Sequence, residues 1–185
     1  MAKKIIIVTG PIGSGKSTTI EYLRKKGFQT LDLDKISNEI INSNDSIKFL
    51  DTNFPGVIKN QKLDKESLAD IVFNDIDKLK TLEEYLHPKI LIEFQQLAAK
   101  IDGVLFVEVS APKNIHKDFE CLVISTPEAV RIERLLNRDM KLNDIKNRIQ
   151  TQQNEDWWNS LGHVIINNSH TSLEQEIDKY INEKI

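Results

Sequence analysis

The chain carries a glycine-rich segment whose residue types and spacing are those of a phosphate-binding loop. It reads Gly-Pro-Ile-Gly-Ser-Gly-Lys-Ser, the pattern G-x-x-x-x-G-K-S, and follows the apolar run Ile5–Val8. Glycines let successive backbone N–H groups turn inward around phosphate oxygens, and a helix starting near Lys16 adds the positive end of its dipole. Lys16 would reach the outer phosphates, and the Ser17 hydroxyl would bind Mg²⁺. The predicted nucleotide-binding residues here are Gly10, Pro11, Ile12, Gly13, Ser14, Gly15, Lys16, Ser17 and Thr18.

Two carboxylates, Asp32 and Asp34, close the second apolar run. Side chains alternate along a strand, so both would point to the same side. At the carboxyl end of a strand beside the phosphate loop, one carboxylate could orient Mg²⁺ through water and the other could accept a proton from an attacking hydroxyl. We predict that Asp34 is the base and that Asp32 supports it. Alternatively, Asp34 only caps the helix that follows.

Four of the five arginines lie between residues 131 and 148. Arg131, Arg134 and Arg138 have spacings of three and four residues, which predicts one helix face. Guanidinium suits planar phosphate recognition better than ammonium does, so this cluster predicts a clamp on the transferring phosphate, with Arg138 as the strongest candidate. The alternative is a solvated helix face whose arginines pair with nearby carboxylates.

Three further positions could carry chemistry. Glu108 ends the third apolar run, where many phosphate-loop proteins place a metal-orienting acid; an ordinary strand-end carboxylate is the alternative. His87-Pro88 is interpreted as the start of a helix in preference to a substrate contact, because proline suits a first turn. Trp157 and Trp158 could stack on a base, but packing is the more common use of such residues.

The elements that position these residues alternate between strand and helix. The strand-like runs are nearly continuous in apolar residues, as in parallel strands buried on both faces. This alternation predicts an α/β fold, a doubly wound five-stranded parallel sheet of the P-loop NTPase type flanked by helices, with the site at the carboxyl ends of the strands. The predicted strands are Ile5–Thr9, Gln29–Asp32, Val104–Val109, Cys121–Ser125 and His163–Ile166.

One domain is predicted over residues 1–185, with a core of 1–34, 101–136 and 161–185. Residues 35–100 are interpreted as a helical insertion that holds the second substrate, and 137–160 as a small helical lid. The insertion's predicted helices are Lys35–Asn42, Ser46–Asn53, Asp64–Phe73, Asp75–Leu86 and Pro88–Lys100. Elsewhere, Ser17–Lys26 is expected to end at Gly27, Thr126-Pro127-Glu128 to start a helix, and Ser172 with Gln175 to form a capping box.

Composition excludes several classes of partner. The net charge of −3 gives no reason to expect nucleic acid or an anionic membrane as partner, and no apolar segment is long enough for a signal peptide or a membrane span. The single cysteine, Cys121, lies in an apolar run and is expected to be a buried core thiol. We therefore expect a cytoplasmic protein that acts on small molecules as a monomer, with weak self-association left open.

Taken together, these motifs resemble the dephospho-CoA kinase family, whose members use ATP to phosphorylate the ribose 3′-hydroxyl of dephospho-CoA. The resemblance extends nearly end to end. It implies Asp34 as catalytic base, beside Lys16 and Arg138. It also implies nucleotide binding by Arg134, Arg138 and Asn168, the last near the adenine, and substrate binding by Asp32, Asp34, Lys65, His87 and Glu108. The similar segments are Val8–Thr18, Gly27–Asp34, Leu63–Phe73, Leu82–Pro88, Arg134–Asp139, Arg148–Gln152 and Val164–Asn168.

The chain departs from the family pattern at several positions. The family usually has glycine where Pro11 stands, arginine where Lys65 stands and glutamine where Arg131 stands. The loop Val109–Asn114 also differs from the segment that usually follows the family's third strand. Because that loop is expected to face the acceptor, another nucleoside or nucleotide kinase, or a degenerate kinase that only binds ATP, is an alternative. A GTPase-like switch is a further alternative, although no Asn-Lys-x-Asp motif occurs.

Overall fold

The computed structural model describes residues 4–112 and 115–185. The chain divides into two compact units, one formed by the residues up to Asp32 together with Ile101–Ile185, and the other by Leu33–Lys100. We call them the sheet unit and the helical unit. The helical unit begins at Leu33, whereas the insertion was predicted to begin at residue 35.

The sheet unit is built on five parallel strands in the order β2-β5-β1-β6-β7. Consecutive residues of β1, from Ile6 to Val8, have no exposed surface, so both faces of the central strand are covered. This explains the continuous apolar runs and confirms the predicted fold class. The strands are β1 Lys4–Thr9, β2 Gln29–Asp32, β5 Val104–Glu108, β6 Glu120–Ser125 and β7 His163–Ile166.

Five α-helices of the described residues accompany the sheet: α1 Lys16–Lys25, α6 Glu128–Leu136, α7 Leu142–Gln150, α8 Glu155–Ser160 and α9 His170–Lys184. Residues of α1 and α9, among them Leu23 and Ile177, share one buried cluster with the sheet. Gly27, with φ +91°, follows the last turn of α1, as predicted. Cys121 is buried on β6, also as predicted, and burial raises the pKa of its thiol.

Two predicted helix caps are wrong. The capping box of α9 joins Ser169 and Ser172, so Ser172 is the third helical residue and Ser169 is the cap. Thr126 does not cap α6; the flanking residue is Pro127, and the Thr126 hydroxyl turns to backbone carbonyls elsewhere. At α9 the local sequence offered two candidate hydroxyls for the cap, and at α6 it offered two uses for one hydroxyl. The contacts of the folded chain decide between them.

The helical unit contains α2 Leu33–Ile41, α3 Asn44–Asn53, α4 Lys65–Asn74 and α5 Ile76–Ala99. The prediction of two helices that meet at His87-Pro88 is wrong, because α5 continues through Pro88. Proline removes one helical N–H and is costly inside a helix, which is why the sequence indicated a boundary. Leu82, Leu86 and Phe94 keep the helix buried on both sides of the proline and offset that cost.

A short antiparallel hairpin in the helical unit was not predicted. It pairs β3 Ile58–Lys59 with β4 Lys62–Leu63, and the two residues between them, Asn60 and Gln61, both have positive φ. Its residues Ile58 and Leu63 pack against a buried cluster that includes Leu50 of α3, Leu68 of α4 and Leu82 of α5. Among the helices of the described residues, none is both long and apolar enough to cross a membrane.

Candidate active site

The loop between β1 and α1 takes backbone conformations that only glycine accepts readily. Gly10, Gly13 and Gly15 have φ of +143°, +78° and +104°. A Cβ on Gly15 would lie 2.2 Å from the Asn167 amide nitrogen, and one on Gly13 would lie 3.1 Å from Arg131. The glycines therefore serve both the turn and the close approach of side chains from behind the loop.

Lys16 is buried at the start of α1, and its ammonium nitrogen lies inside the curve of the loop. It donates hydrogen bonds to the backbone carbonyls of Gly10, at 2.9 Å, and Pro11, at 3.2 Å. An ammonium held at the first residue of a helix, beside the helix's unpaired N–H groups, forms a site for anions such as phosphate.

Ser17 and Glu108 meet at the carboxyl end of the sheet. The Ser17 hydroxyl donates to Glu108 Oε1 at 2.7 Å, and Glu108 is only 8% exposed. The strand register also sets Asp32 directly opposite Glu108 on the neighbouring strand. Thus three predicted site residues meet at one edge of the sheet: Ser17 on α1, Asp32 on β2 and Glu108 on β5.

This edge fits the donor set expected for Mg²⁺. The ion prefers hard oxygen ligands and commonly takes only one or two from the protein, the rest coming from phosphates and water. The Ser17 hydroxyl and the Glu108 carboxylate supply such oxygens. Among the described residues no cluster of three or more His, Cys, Asp or Glu side chains could hold a metal ion.

The predicted arginine cluster divides into two parts. Arg131 donates to the carbonyls of Thr126 and Ile12, at 3.1 and 3.4 Å. Arg134 donates to the carbonyls of Asn167 and Ser14, at 3.2 and 3.5 Å. Burial and the nearby charge of Arg138 lower the pKa of Arg134, although a guanidinium remains charged at neutral pH. Both arginines on α6 therefore support the phosphate loop through its carbonyl oxygens.

Arg138 differs from these two arginines. It lies beyond the end of α6, so the single helix face predicted for the three arginines is wrong for this one. It is exposed, and within residues 4–112 and 115–185 its side chain has no hydrogen bond or ion pair, although its backbone N–H donates to the Leu135 carbonyl at 3.1 Å. Its guanidinium is therefore available to an anion.

Two small cavities adjoin the loop and share Gly15 and Arg138 in their walls. One, of about 160 Å³, is lined by the inner side of the loop together with Lys16, Ser17 and Glu108. The other, of about 210 Å³, is lined by Thr18, Arg134, Asn137 and Asn167 besides the shared pair. The predicted residue Asn168 is exposed and lines neither cavity, so its role stays a prediction.

The predicted lid, residues 137–160, is bonded to the phosphate loop. Gln152 accepts a hydrogen bond from the backbone N–H of Ile12 at 2.9 Å. Trp158 is buried and donates its indole N–H to the Gln153 carbonyl at 3.1 Å, and α8 packs against β6. Trp158 thus has the packing role that was expected.

The helical unit holds the remaining predicted residues. The alternation argument required Asp34 to continue strand β2, and this is wrong. Asp34 lies in the first turn of α2, where the helix dipole favours a carboxylate. Asp34 and Lys65 line one shallow apolar groove of about 300 Å³, and Lys65 donates to Asn38. His87 is exposed in the middle of α5 and is not among the groove residues.

Three residues at the loop were not predicted as site residues. Thr126 and Asn167 contact the loop from behind, and Gln152 contacts it from the lid. Gln152 belongs to Arg148–Gln152, a segment that resembles the family but was given no role in the prediction. Asn167 directly precedes Asn168, which was predicted as a site residue. Thr126 had only the signal of a helix cap. The divergent loop Val109–Asn114 includes residues 113 and 114, which lie outside the described residues.

Comparison with known proteins agrees with this geometry. The family model for dephospho-CoA kinase (CoaE) matches residues 4–174. The chain is 33% identical to the dephospho-CoA kinase of Campylobacter jejuni strain RM1221, over 98% of this chain and 96% of that protein. The structure of a Campylobacter jejuni dephospho-CoA kinase matches with a TM-score of 0.72 and 30% identity, covering 98% of this chain and 97% of that one. TT1252 from Thermus thermophilus matches with a TM-score of 0.92 and 26% identity over the whole of both chains. The chain belongs to the dephospho-CoA kinase family.

Proposed function

We propose that the protein transfers the γ-phosphoryl group of ATP to the ribose 3′-hydroxyl of dephospho-CoA, giving CoA and ADP. The observation that carries the proposal is the hydrogen bond between Ser17 and Glu108, which joins the phosphate loop to the carboxylate at the end of β5. Such a pair is the protein part of a metal–triphosphate site in P-loop enzymes. The acceptor follows from the family, and we propose that the protein acts on it in the cytoplasm as a monomer.

The two cavities at the loop support a placement for ATP. The cavity lined by Lys16, Ser17 and Arg138 suits the phosphates, because it joins two cations to the backbone N–H groups of the loop. The cavity lined by Thr18 and Arg134 suits the adenosine. Arg134 donates from its two terminal nitrogens to the Ser14 and Asn167 carbonyls, and the flat face of a guanidinium can stack on a base.

Ser17 and Glu108 would hold Mg²⁺, which when bound neutralises charge on the phosphates. Lys16 and Arg138 add positive charge at the oxygens on which negative charge develops during transfer. Phosphoryl transfer of this kind depends mainly on position and electrostatics, so the chain's task is to orient ATP and to exclude water.

The groove of the helical unit is proposed to bind the acceptor. Its walls are mainly apolar and include Leu68, Val72 and Phe73, which suits the pantetheine arm, while Lys65 suits an anionic group of the same substrate. Asp34 lines this groove and is proposed as the base. The 3′-oxygen attacks the γ-phosphorus, its proton passes to Asp34, and the bond from the γ-phosphorus to the bridging oxygen breaks to release ADP.

The test is ADP release from ATP and Mg²⁺ with dephospho-CoA, compared with adenosine, AMP and no acceptor. ADP formed only with dephospho-CoA, accompanied by CoA, supports the proposal; ADP formed with another acceptor overturns the assigned substrate. Asp34→Asn is expected to lower kcat by about 10²–10⁴-fold, the usual contribution of a general base, while ATP binding measured by calorimetry is unchanged. Near-normal kcat in that variant would remove Asp34 as the base.

A further inference from the structure

The backbone carbonyl of Ser14, in the middle of the phosphate loop, receives hydrogen bonds from three side chains far away in sequence. The Asn167 amide donates to it at 2.7 Å, the Thr126 hydroxyl at 3.0 Å, and the Arg134 guanidinium at 3.5 Å. Thr126 and Asn167 are each 4% exposed. These contacts are therefore shielded from water, where a hydrogen bond has its greatest influence on orientation.

The orientation of this carbonyl determines the orientation of the next N–H group. A trans peptide is planar, and its C=O and N–H point in opposite directions; no peptide bond of the described residues is cis. Because the Ser14 carbonyl points back to Thr126 and Asn167, the Gly15 N–H points to the opposite side. Gly15 lines both of the cavities proposed for ATP.

The loop's own side chains do not provide this orientation. Among the described residues, one buried side-chain polar atom has no hydrogen-bond partner, and it is the Ser14 hydroxyl oxygen. The loop is instead held from outside, and Thr126 is the centre of that support. Its single proton is shared among the carbonyls of Ser14, Ser125 and Asn167, at 3.0, 2.8 and 3.1 Å, and its oxygen accepts from Arg134 at 3.4 Å.

We propose that Thr126 and Asn167 are positioning residues that hold the Ser14–Gly15 peptide so that the Gly15 N–H donates to a phosphate of the nucleotide. Thr126 makes the cleaner test, because valine has nearly the same shape without the hydroxyl, and serine restores the hydroxyl. The inference rests on the proposed placement of the phosphates in the loop.

The experiment measures ADP and adenosine binding by calorimetry, together with the Gly15 amide resonance in the ¹H–¹⁵N spectrum, for wild type, Thr126→Val and Thr126→Ser. A net hydrogen bond is worth about 0.5–1.5 kcal/mol, and this one exists without nucleotide too, so Thr126→Val is expected to raise the ADP dissociation constant measurably, by up to about 2- to 12-fold. Adenosine has no phosphate, so its binding is expected to be unchanged. Thr126→Ser is expected to restore ADP binding and the shift of the Gly15 resonance on ADP addition.

Tyr180→Phe is the matched control, because it also deletes a buried hydroxyl of the sheet unit, one that donates to Glu120 at 2.8 Å away from the loop. It is expected to lower stability without changing ADP affinity. If Thr126→Val binds ADP as tightly as wild type and keeps the shift of the Gly15 resonance, the positioning role is refuted, while the proposed placement of the phosphates still stands. If the wild-type Gly15 resonance does not respond to ADP, the phosphate placement itself is refuted, and this inference with it.

Discussion

The contact between Ser17 and Glu108 gives the sharpest prediction about the site. Glu108→Gln keeps the size of the side chain and an oxygen that can accept the Ser17 proton, but it removes the charge. Glu108→Ala removes the acceptor as well. If this carboxylate orients Ser17 toward a metal–nucleotide complex, binding of ADP with Mg²⁺ is expected to weaken in two steps, more in the alanine variant than in the glutamine variant.

The magnitudes follow from the 2.7 Å hydrogen bond and the low exposure of Glu108. A hydrogen bond to a charged group contributes about 1.5–3 kcal/mol, and a neutral one about 0.5–1.5 kcal/mol. Because this bond also exists without nucleotide, its energy sets the upper limit of the change in affinity. Glu108→Gln is therefore expected to lose up to about 1–1.5 kcal/mol, at most about a 5- to 12-fold weaker affinity. Glu108→Ala is expected to lose more, up to about 12- to 160-fold.

The assay is calorimetric titration of ADP into each variant, with and without Mg²⁺, followed by kcat/KM for ATP. Glu120→Gln is the matched control, because Glu120 also accepts from a hydroxyl at 2.8 Å but lies at the start of β6. The reasoning fails if both Glu108 variants bind ADP with Mg²⁺ as tightly as wild type, or if ADP without Mg²⁺ weakens equally.

Two predictions concern the helical unit. The Lys59 ammonium, with hydrogen bonds from Ser67, holds the pKa of Asp64 well below its usual value, so this cap stabilises the fold above about pH 4 and loses its effect as the pH falls further. Acid-unfolding curves of Asp64→Asn are expected to be flatter than wild type below pH 4; parallel curves would contradict this. Pro88→Ala restores one helical N–H in α5, so it is expected to raise the free energy of unfolding by about 1–3 kcal/mol, measured by urea unfolding. A lower free energy of unfolding would contradict this and show that the proline ring packs favourably.

The sheet could be predicted from sequence because each strand carries its own signal. The inner strands β1, β5 and β6 are buried on both faces and apolar at successive positions, and their bounds were predicted to within one residue. The edge strands β2 and β7 are only partly buried, and their bounds were predicted to the residue. The sequence signal of the phosphate loop is equally local, because eight adjacent residues contain its glycines, its lysine and its hydroxyl.

Other features depend on contacts that no local pattern reports. The continuity of α5 through Pro88 depends on burial of the turns around it, which overrides the rule that proline ends a helix. The turn at Asn60-Gln61 lacks the glycine that usually marks a two-residue hairpin. Asp34 was assigned to a strand face because the end of β2 and the start of α2 follow each other without a loop.

The support of the phosphate loop was the hardest part to predict, because its members come from distant segments. Gln152 is 140 residues from Ile12, and Asn167 is 153 residues from Ser14. Each is a common polar residue with no distinctive spacing to the loop. Their roles become visible only when the loop's carbonyl and N–H groups are followed one by one to their partners.

The same contacts show what Arg131 does in a position where the resemblance leads us to expect glutamine. Arginine differs from glutamine in charge and length. In this chain Arg131 acts as a hydrogen-bond donor to the carbonyls of Ile12 and Thr126, and a glutamine amide is also a donor. Gln152 holds the N–H of Ile12 while Arg131 holds its carbonyl, so both backbone groups at this point of the loop are fixed by side chains. The arginine at this position thus supplies a donor aimed at the loop, a role that a glutamine amide could also fill.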